Sequence, residues 1–371
     1  MESKIIIIGA GAAGIGLGIT LKQLGVDDVL ILEKDDIGQS FKNWSPETRF
    51  ITPSFTSNGF GMPDLNAISL HTSPAYTLGK EHLSGKDYAN YLSLVAGTYN
   101  LSIMTNEMVD QVVAQKDKTY QVVTRNHSFR AKYVVFAVGQ FSYPYNPFDC
   151  GIHYAEVRQW RQLTSQNRVI IGGNESAFDA AINLARNGVV VDIYTKSTGL
   201  YEHSADPSVR LSAYTSEKYY SLTDQQRLNI RVHEQMVLQQ LKKLTNEKYQ
   251  LIFNEGNKIL EVSEEPIICT GFCNGATRIQ PNLFKIINNV SLLNEFDESI
   301  IAQNVFLTGP NVQHGETIFC YIYKFRQRFA IIAEEIMKRE RLPINTNILT
   351  QYKHNSFYIE DCSKCEVRCD C

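Results

Sequence analysis

Two features that mark surface-binding or secreted proteins are missing from this chain of 371 residues. It has no excess of positive charge: 36 Lys and Arg against 39 Asp and Glu leave a formal net charge of −3. A nucleic-acid backbone or an anionic bilayer is held by a basic field, so neither is an expected partner, and no membrane insertion is expected. It also lacks a distributed disulfide framework. Of eight cysteines, four fall in the last ten residues, which is no framework for stapling a secreted domain. The opening Met-Glu-Ser-Lys has none of the basic region, apolar stretch and small-residue cleavage site of a signal peptide, so the expected compartment is the cytoplasm. The longest uncharged apolar stretch near the start, Ile5 to Leu21, is short for a membrane span, holds five glycines and opens on four isoleucines. It reads as a buried strand, a glycine turn and a helix. Hydrophobic residues at 43% and charged residues at 20% exclude wholesale disorder. At about 150 residues per domain the length suggests two domains or three.

What the chain does have is an internal repeat. Residues 5–34 lie over 168–197 at an offset of 163 without a gap. IIIGAGAAGIGLGITLKQLG (6–25) matches VIIGGNESAFDAAINLARNG (169–188), with Gly9 on Gly172, Gly14 on Ala177 and Gly25 on Gly188. The apolar runs VLILEK and VVVDIYTKS follow. Each copy therefore reads as strand, tight turn, helix, glycine stop and strand, the opening of a parallel βαβ fold.

In such a turn the first glycine permits the sharp exit from the strand. The second lets backbone approach a pyrophosphate, and the third lets helix and strand pack closely. Phosphates then lie at the helix N-terminus, where free N–H groups and the helix dipole favour negative charge. Gly9, Gly11 and Gly14 fit this pattern, and Glu33 closes the second strand 19 residues after Gly14, placed to accept hydrogen bonds from a ribose. The second copy is looser, with Asn174 at the middle position, where the tolerance of Asn for left-handed backbone is one reason to expect it, and Ala177 at the third. Glu33 and Lys196 superpose under the shift. A carboxylate there suits a ribose diol; an ammonium suits an added 2′-phosphate and accepts no hydrogen bond. The first site thus reads as one for FAD and the second as one for NADPH, unless Lys196 is an ordinary surface lysine at a strand end.

Two nucleotide turns could serve two cofactors or record a duplication with one turn idle. Three apolar strands ending in glycine favour two cofactors: YVVFAVG (133–139), IICTGF (267–272) and NVFLTGP (304–310). After the last, Ile318, Ile322, Phe325, Phe329, Ile332 and Ile336 recur at helical spacing and predict a helix from about Glu316 to Arg339, its N-terminal dipole available to an electron-rich ring. The run Ile230 to Leu244 reads as a surface helix.

The paired turns, the SYP segment at 142–144 and the closing NVFLTGP resemble two-dinucleotide-binding-domain flavoproteins. Within them, GQSFKNWSPETRFITPSF (38–55) and IFCYIYKFRQRFA (318–330) resemble most the flavin-containing monooxygenase-like, CzcO-like group. The resemblance covers about residues 1–342 and implies an α/β fold of two Rossmann-like FAD/NAD(P)-binding domains in glutathione-reductase-like architecture. The NADPH domain (148–277) would be inserted into a split FAD domain (1–147 and 278–342), followed by a polar tail (343–371). It implies FAD contacts from Gly9, Gly11, Ala12, Ala13, Gly14, Glu33, Lys34, Ser40, Phe41, Trp44, Val109, Gly139, Gly309 and Thr317. NADPH contacts would come from Gly172, Gly173, Asn174, Glu175, Ser176 and Lys196.

The implied chemistry is hydride transfer from NADPH to flavin N5, followed by oxygenation of a small nucleophile or carbonyl compound through a C4a-hydroperoxide, or by electron transfer to another acceptor. Family monooxygenases carry F-x-G-x-x-x-H before the NADPH domain. Here PFDCGIHYAEV sets Phe148 and His153 five apart, so His153 is a candidate catalytic residue or simply a linker histidine. His314, before the last helix, is a second catalytic candidate. Tyr201, His203, Arg210 and Tyr214 follow the Lys196 strand, where a substrate loop could lie. Disulfide reduction is disfavoured: residues 1–160 hold only Cys150, and the related bacillithiol disulfide reductases carry a cysteine in the first glycine turn, where Ala13 stands here. Cys269 and Cys273 flank a strand end, and Cys269 reads as a core thiol. At the C-terminus, Cys362, Cys365, Cys369 and Cys371 could bind a soft metal ion or relay thiols, or could have no dedicated role. A metal-binding or redox-sensing flavoprotein is the corresponding alternative, and a homodimer is an assembly left open.

Overall fold

The computed structural model describes residues 1–55, 63–197, 200 and 210–360. Tyr201, His203 and the four C-terminal cysteines lie outside them. The chain forms two compact units. One comprises Met1–Lys42, Pro53–Tyr143 and the described residues from Cys273 onward; the other comprises Asn43–Thr52 and Pro144–Phe272.

In the first unit, β1 (Ile5–Ile8) is buried on both faces, as a run of isoleucines in the middle of a parallel sheet must be. It pairs in parallel with β2 (Val29–Leu32) and with β7 (Tyr133–Phe136). β3 (Ile103–Met104) and β18 (Val305–Leu307) complete a five-stranded sheet in the order β18-β7-β1-β2-β3. Helix Ala12–Leu24 connects β1 to β2 and stops at Gly25, whose left-handed backbone (φ 100°) closes it. A three-stranded antiparallel sheet, β4 (Val109–Ala114), β5 (Tyr120–Thr124) and β6 (Ser128–Ala131), lies between β3 and β7 in the chain.

The second unit repeats this plan. Its parallel sheet runs β11-β10-β9-β15-β8, built from β8 (Ile152–His153), β9 (Asn167–Ile171), β10 (Val190–Tyr194), β11 (Ile230–His233) and β15 (Ile267–Ile268). Helix Glu175–Arg186 joins β9 to β10. Another antiparallel sheet, β12 (Leu238–Lys243), β13 (Tyr249–Phe253) and β14 (Lys258–Val262), intervenes between β11 and β15. The repeat thus extends well past the thirty residues that match in sequence.

Two expectations are corrected. Residues 230–244 are not a surface helix but hold the two strands β11 and β12. The leucine spacing of three that mimics a helix is that of a bulged strand: β12 shifts register between Leu238 and Gln240, bringing both leucines toward the core. β4 carries the same shift between Val109 and Gln111, with Val109 and Val112 buried. Second, no helix begins at Glu316. β19 (Gln313–His314) and β20 (Thr317–Ile318) form a hairpin, with the short strands β16 (Lys285–Ile287) and β17 (Val290–Leu292) earlier in the chain. A helical turn at Ile322–Phe325, a tighter one at Arg326–Arg328 and helix Phe329–Glu340 follow. Ile322, Phe325, Phe329, Ile332 and Ile336 do share the buried face, but Ile318 belongs to the hairpin. A turn of four residues offers no substantial dipole to a cofactor.

Past Pro343, helix Thr346–His354 packs on the first unit: Tyr352 is buried and its hydroxyl donates to Gln23 Oε1 at 2.6 Å.

Candidate functional site

The first glycine turn is fixed by close backbone packing. Gly9 has φ 109°, and a Cβ there would lie 2.6 Å from the carbonyl oxygen of Ala137. At Gly14 it would lie 1.9 Å from the oxygen of Gly9. Gly11 differs: its φ of −86° suits any residue, and nothing lies within 4 Å of its Cβ position. The protein's own packing does not require glycine there, and the space beside it is open. The helix that Gly11 precedes starts without a side-chain cap. Open space beside an uncapped helix N-terminus suits a pyrophosphate.

Glu33 stands at the end of β2, with Oε2 accepting the N–H of Ala10 at 2.7 Å and Oε1 that of Asp35 at 3.1 Å. It is buried, and burial pushes its pKa up. The carboxylate therefore braces the turn. Three further segments meet near this sheet end. Gly309 approaches Ala13, 3.1 Å from Ala13 Cβ to its Cβ position, and Asn311 Nδ2 donates to the oxygen of Gly139 at 3.0 Å. Thr308, just after β18, is buried and its hydroxyl has no hydrogen-bond partner. An orphaned hydroxyl beside the cradle suits a bound polar group.

The remaining first-site residues are more scattered. Ser40 Oγ is 3.5 Å from Ser142 Oγ, and Phe41 packs edge-on against buried Tyr88. Lys34 is exposed, 3.9 Å from Asp35. Val109 is buried at the start of β4, and Thr317 pairs with His314 across the hairpin. Trp44 belongs to the second unit, against Phe50.

The second turn repeats the first. Gly172 has φ 131°, and a Cβ would meet the oxygen of Cys269 at 2.3 Å, as Gly9 meets Ala137. Asn174 is extended (φ −113°), close to Gly11 in conformation, so tolerance of left-handed backbone is not what admits asparagine here. Gly173 is pressed against the segment after β10: a Cβ would lie 2.3 Å from both Ser197 O and Thr195 Oγ1. Lys196, between them, is exposed and has no partner among the described residues. Ala177, in the third-glycine place, is fully buried, and Ser176 lies in the first helical turn. Glu175 is turned aside: Oε1 accepts the N–H of Ser212 and Oε2 the hydroxyl of Thr215 at 2.6 Å, and burial pushes its pKa up.

Sequence reasoning missed a polar cluster in this unit. Asp179 accepts from Lys218 Nζ at 2.8 Å, Tyr154 at 2.8 Å and Thr48 at 3.1 Å, fastening segment 43–52 to helix Glu175–Arg186. Of the catalytic candidates, His153 is buried with both nitrogens engaged: Nε2 lies 2.9 Å from the oxygen of Gly271, and Nδ1 accepts the N–H of Ala155 at 3.2 Å. Burial pushes its pKa down. It caps the turn Tyr154–Glu156. His314 hydrogen-bonds Asp297, a residue with no motif around it. Cys269 is a partly buried thiol whose pKa is raised by burial, and Cys150, Cys273 and Cys320 are the other cysteines among the described residues. No group of three or more His, Cys, Asp or Glu among the described residues is placed to hold a metal ion, and no helix among them is long and apolar enough to cross a membrane.

Residues 6–309 match the family model described as pyridine nucleotide-disulphide oxidoreductase. The chain belongs to that family. It is accordingly an FAD- and NAD(P)H-binding protein with the two-domain Rossmann-like architecture of the group. Its relatives include the oxidoreductase CzcO of Bacillus velezensis, 27% identical over 50% of this chain and 52% of that protein. Among solved structures it is similar to bacillithiol disulfide reductase Bdr from Bacillus cereus (TM-score 0.72, 20% identity, 91% of this chain and 100% of that one). It is also similar to the flavin-containing monooxygenase from Stenotrophomonas maltophilia (TM-score 0.66, 16% identity, 91% and 99%). At these identities the structural likeness shows the fold. The chain spans about half the length of the curated relatives it matches.

Proposed function

We propose that this chain is an NADPH-dependent flavoprotein oxidoreductase that inserts oxygen into a small soft nucleophile or carbonyl compound. One observation carries the choice of acceptor. The first glycine turn, residues 9–14, holds Ala13, packed against Gly309, and has no cysteine of its own. Thiol–disulfide exchange needs a thiolate at the flavin, so the disulfide acceptor named for Bdr is a poor fit to this chain. The likeness to the flavin-containing monooxygenase supports the alternative acceptor, oxygen.

When bound, FAD and NADPH supply the hydride chemistry, and the protein's part is to hold them. The uncapped start of helix Ala12–Leu24 takes the FAD pyrophosphate, Glu33 the ribose and the Thr308 hydroxyl a polar group of the flavin end. The start of helix Glu175–Arg186 takes the NADPH pyrophosphate. Glu175, bound to Ser212 and Thr215, keeps its carboxyl off those phosphates. Lys196 meets the 2′-phosphate. Replacing Lys196 with Glu is expected to raise KM for NADPH by about tenfold or more, the scale of a charge-assisted hydrogen bond, while sparing NADH. An unchanged preference in steady-state kinetics discards that role.

A second reading, an NADPH:acceptor reductase without oxygen insertion, is favoured by one feature: His153, in the imperfect monooxygenase-like fingerprint, is spent on capping a turn. Oxygen and NADPH consumption measured with a small thioether separates the readings. The proposal expects oxygenated thioether and less hydrogen peroxide than NADPH consumed. Peroxide equal to NADPH with every probe assigns the second reading, and NADPH consumption that requires a disulfide overturns both.

A further inference from the structure

Asp297 has no role in the account above. It is fully buried and lies in left-handed backbone (φ 63°), a conformation that non-glycine residues keep only where surrounding structure imposes it, often at functional sites. The turn around it is tied down. Asn294 Oδ1 accepts the N–H groups of Phe296 and Glu298, both at 3.0 Å, and the Asp297 carbonyl accepts the N–H of Leu307 in β18 at 2.9 Å. The carboxylate thus has one orientation. Oδ2 accepts from Arg328 Nε at 3.0 Å, and Oδ1 from Arg328 Nη2 at 2.9 Å and His314 Nε2 at 2.5 Å. Arg328, also buried, is held in turn by the carbonyls of Ile359 and Glu295.

The consequence falls on His314. With its Nε2–H directed at the carboxylate, the neutral ring keeps its lone pair on Nδ1, and Nδ1 has no partner among the described residues. The side chain is 17% exposed. Its hairpin follows Gly309 and Asn311 directly, the two residues that reach Ala13 and Gly139 at the cradle. A partly exposed histidine oriented by a buried carboxylate, with one nitrogen left without a partner among the described residues, is arranged for proton transfer.

We infer that His314 handles the proton of the flavin-centred reaction and that Asp297 is its positioning residue, with Arg328 balancing the carboxylate charge. The inference rests on the oxidoreductase reading above but not on the choice of acceptor. Oxygen reduction runs NADPH + H⁺ + O₂ → NADP⁺ + H₂O₂, and oxygenation also takes up one proton per NADPH. The hydride carries the two electrons. His314 Nδ1 first takes the proton from solvent, giving an imidazolium whose Nε2–H still faces Asp297; it then passes the proton to the acceptor oxygen and returns to the neutral ring.

The test uses the FAD-loaded full chain with oxygen as the acceptor, following anaerobic reduction by NADPH and reoxidation separately. His314→Gln is expected to bind FAD normally and to be reduced at a rate within about twofold of the parent. Its oxygen-dependent step should slow by about 100-fold, and added imidazole should restore part of the loss. Asp297→Asn should give a smaller loss in the same step without imidazole rescue. Reoxidation of His314→Gln at the parental rate overturns the inference, as does a loss shared equally by both half-reactions and untouched by imidazole. A parent chain that takes up no FAD overturns the flavoprotein reading itself, a failure seen before any variant is made.

Discussion

Gly11→Val should give a folded chain that no longer holds FAD. The backbone at Gly11 is one that valine adopts freely, and a Cβ there meets no atom of the protein within 4 Å. The expected stability cost is about 1 kcal/mol, from putting a poor residue at a helix start. The side chain would instead occupy the space assigned to the pyrophosphate. Losing even two charge-assisted hydrogen bonds at the helix N-terminus corresponds to roughly 100-fold or more in affinity. Gly14→Ala is the matched control. Its methyl would be driven to 1.9 Å from the oxygen of Gly9, so it should lower Tm outright, with a cost at or above the roughly 1–3 kcal/mol typical of overpacking. Flavin absorbance per chain, read beside thermal unfolding of the apoprotein, distinguishes the two. Gly11→Val with full FAD content would show that the first turn is not the cradle.

The second large effect is expected at Gly173. Gly173→Ala should leave FAD bound yet make the flavin nearly unresponsive to NADPH. The added methyl collides with Ser197 O and Thr195 Oγ1 at 2.3 Å and with Thr195 Cβ at 2.9 Å. Backbone cannot yield as a flexible side-chain end can, so segment 195–197 must move, and Lys196 moves with it. The corresponding place in the first unit holds Ala10, because there the neighbour is the Glu33 carboxylate, which bonds to the Ala10 N–H at 2.7 Å. Displacement costing about 1–3 kcal/mol translates into a tenfold to roughly 100-fold loss in NADPH efficiency. Dithionite, which needs no nucleotide site, should still bleach the variant at the parental rate. Normal reduction of Gly173→Ala by NADPH would remove the second unit from the mechanism.

The legible parts of this protein are those where local chemistry and global fold agree. A buried apolar strand, a glycine turn and a helix recurring at an offset of 163 identify both nucleotide turns, because strand exit, phosphate approach and helix packing each demand a particular residue at a particular place. The bulged strands were illegible for a definite reason. A register shift turns alternation into a spacing of three, so LQQLKK looks helical and only its pairing with β13 reveals the strand. Ile318 was misread because the hairpin places it in phase with the helix that follows. Asp297, Thr308 and Arg328 carried no signal of their own. Asp297 meets Arg328 across 31 residues of sequence, and Thr308 matters only for what its hydroxyl lacks. The one local hint was NEFDES, a turn rich in Asn, Asp and Ser between two apolar segments. Lys196 was found by superposing the repeats and Glu175 followed only from the resemblance; that Glu175 turns toward Ser212 depends on a helix far along the chain.

The account depends on two nucleotide cradles working in one polypeptide. The most direct measurement is the visible spectrum of the purified chain, supplied with FAD and then mixed anaerobically with NADPH. The account predicts about one FAD per chain, one for each first-unit turn, with the flavin band lost on adding NADPH. A chain that stays colourless in excess FAD, or a bound flavin that NADPH leaves oxidised, would contradict it.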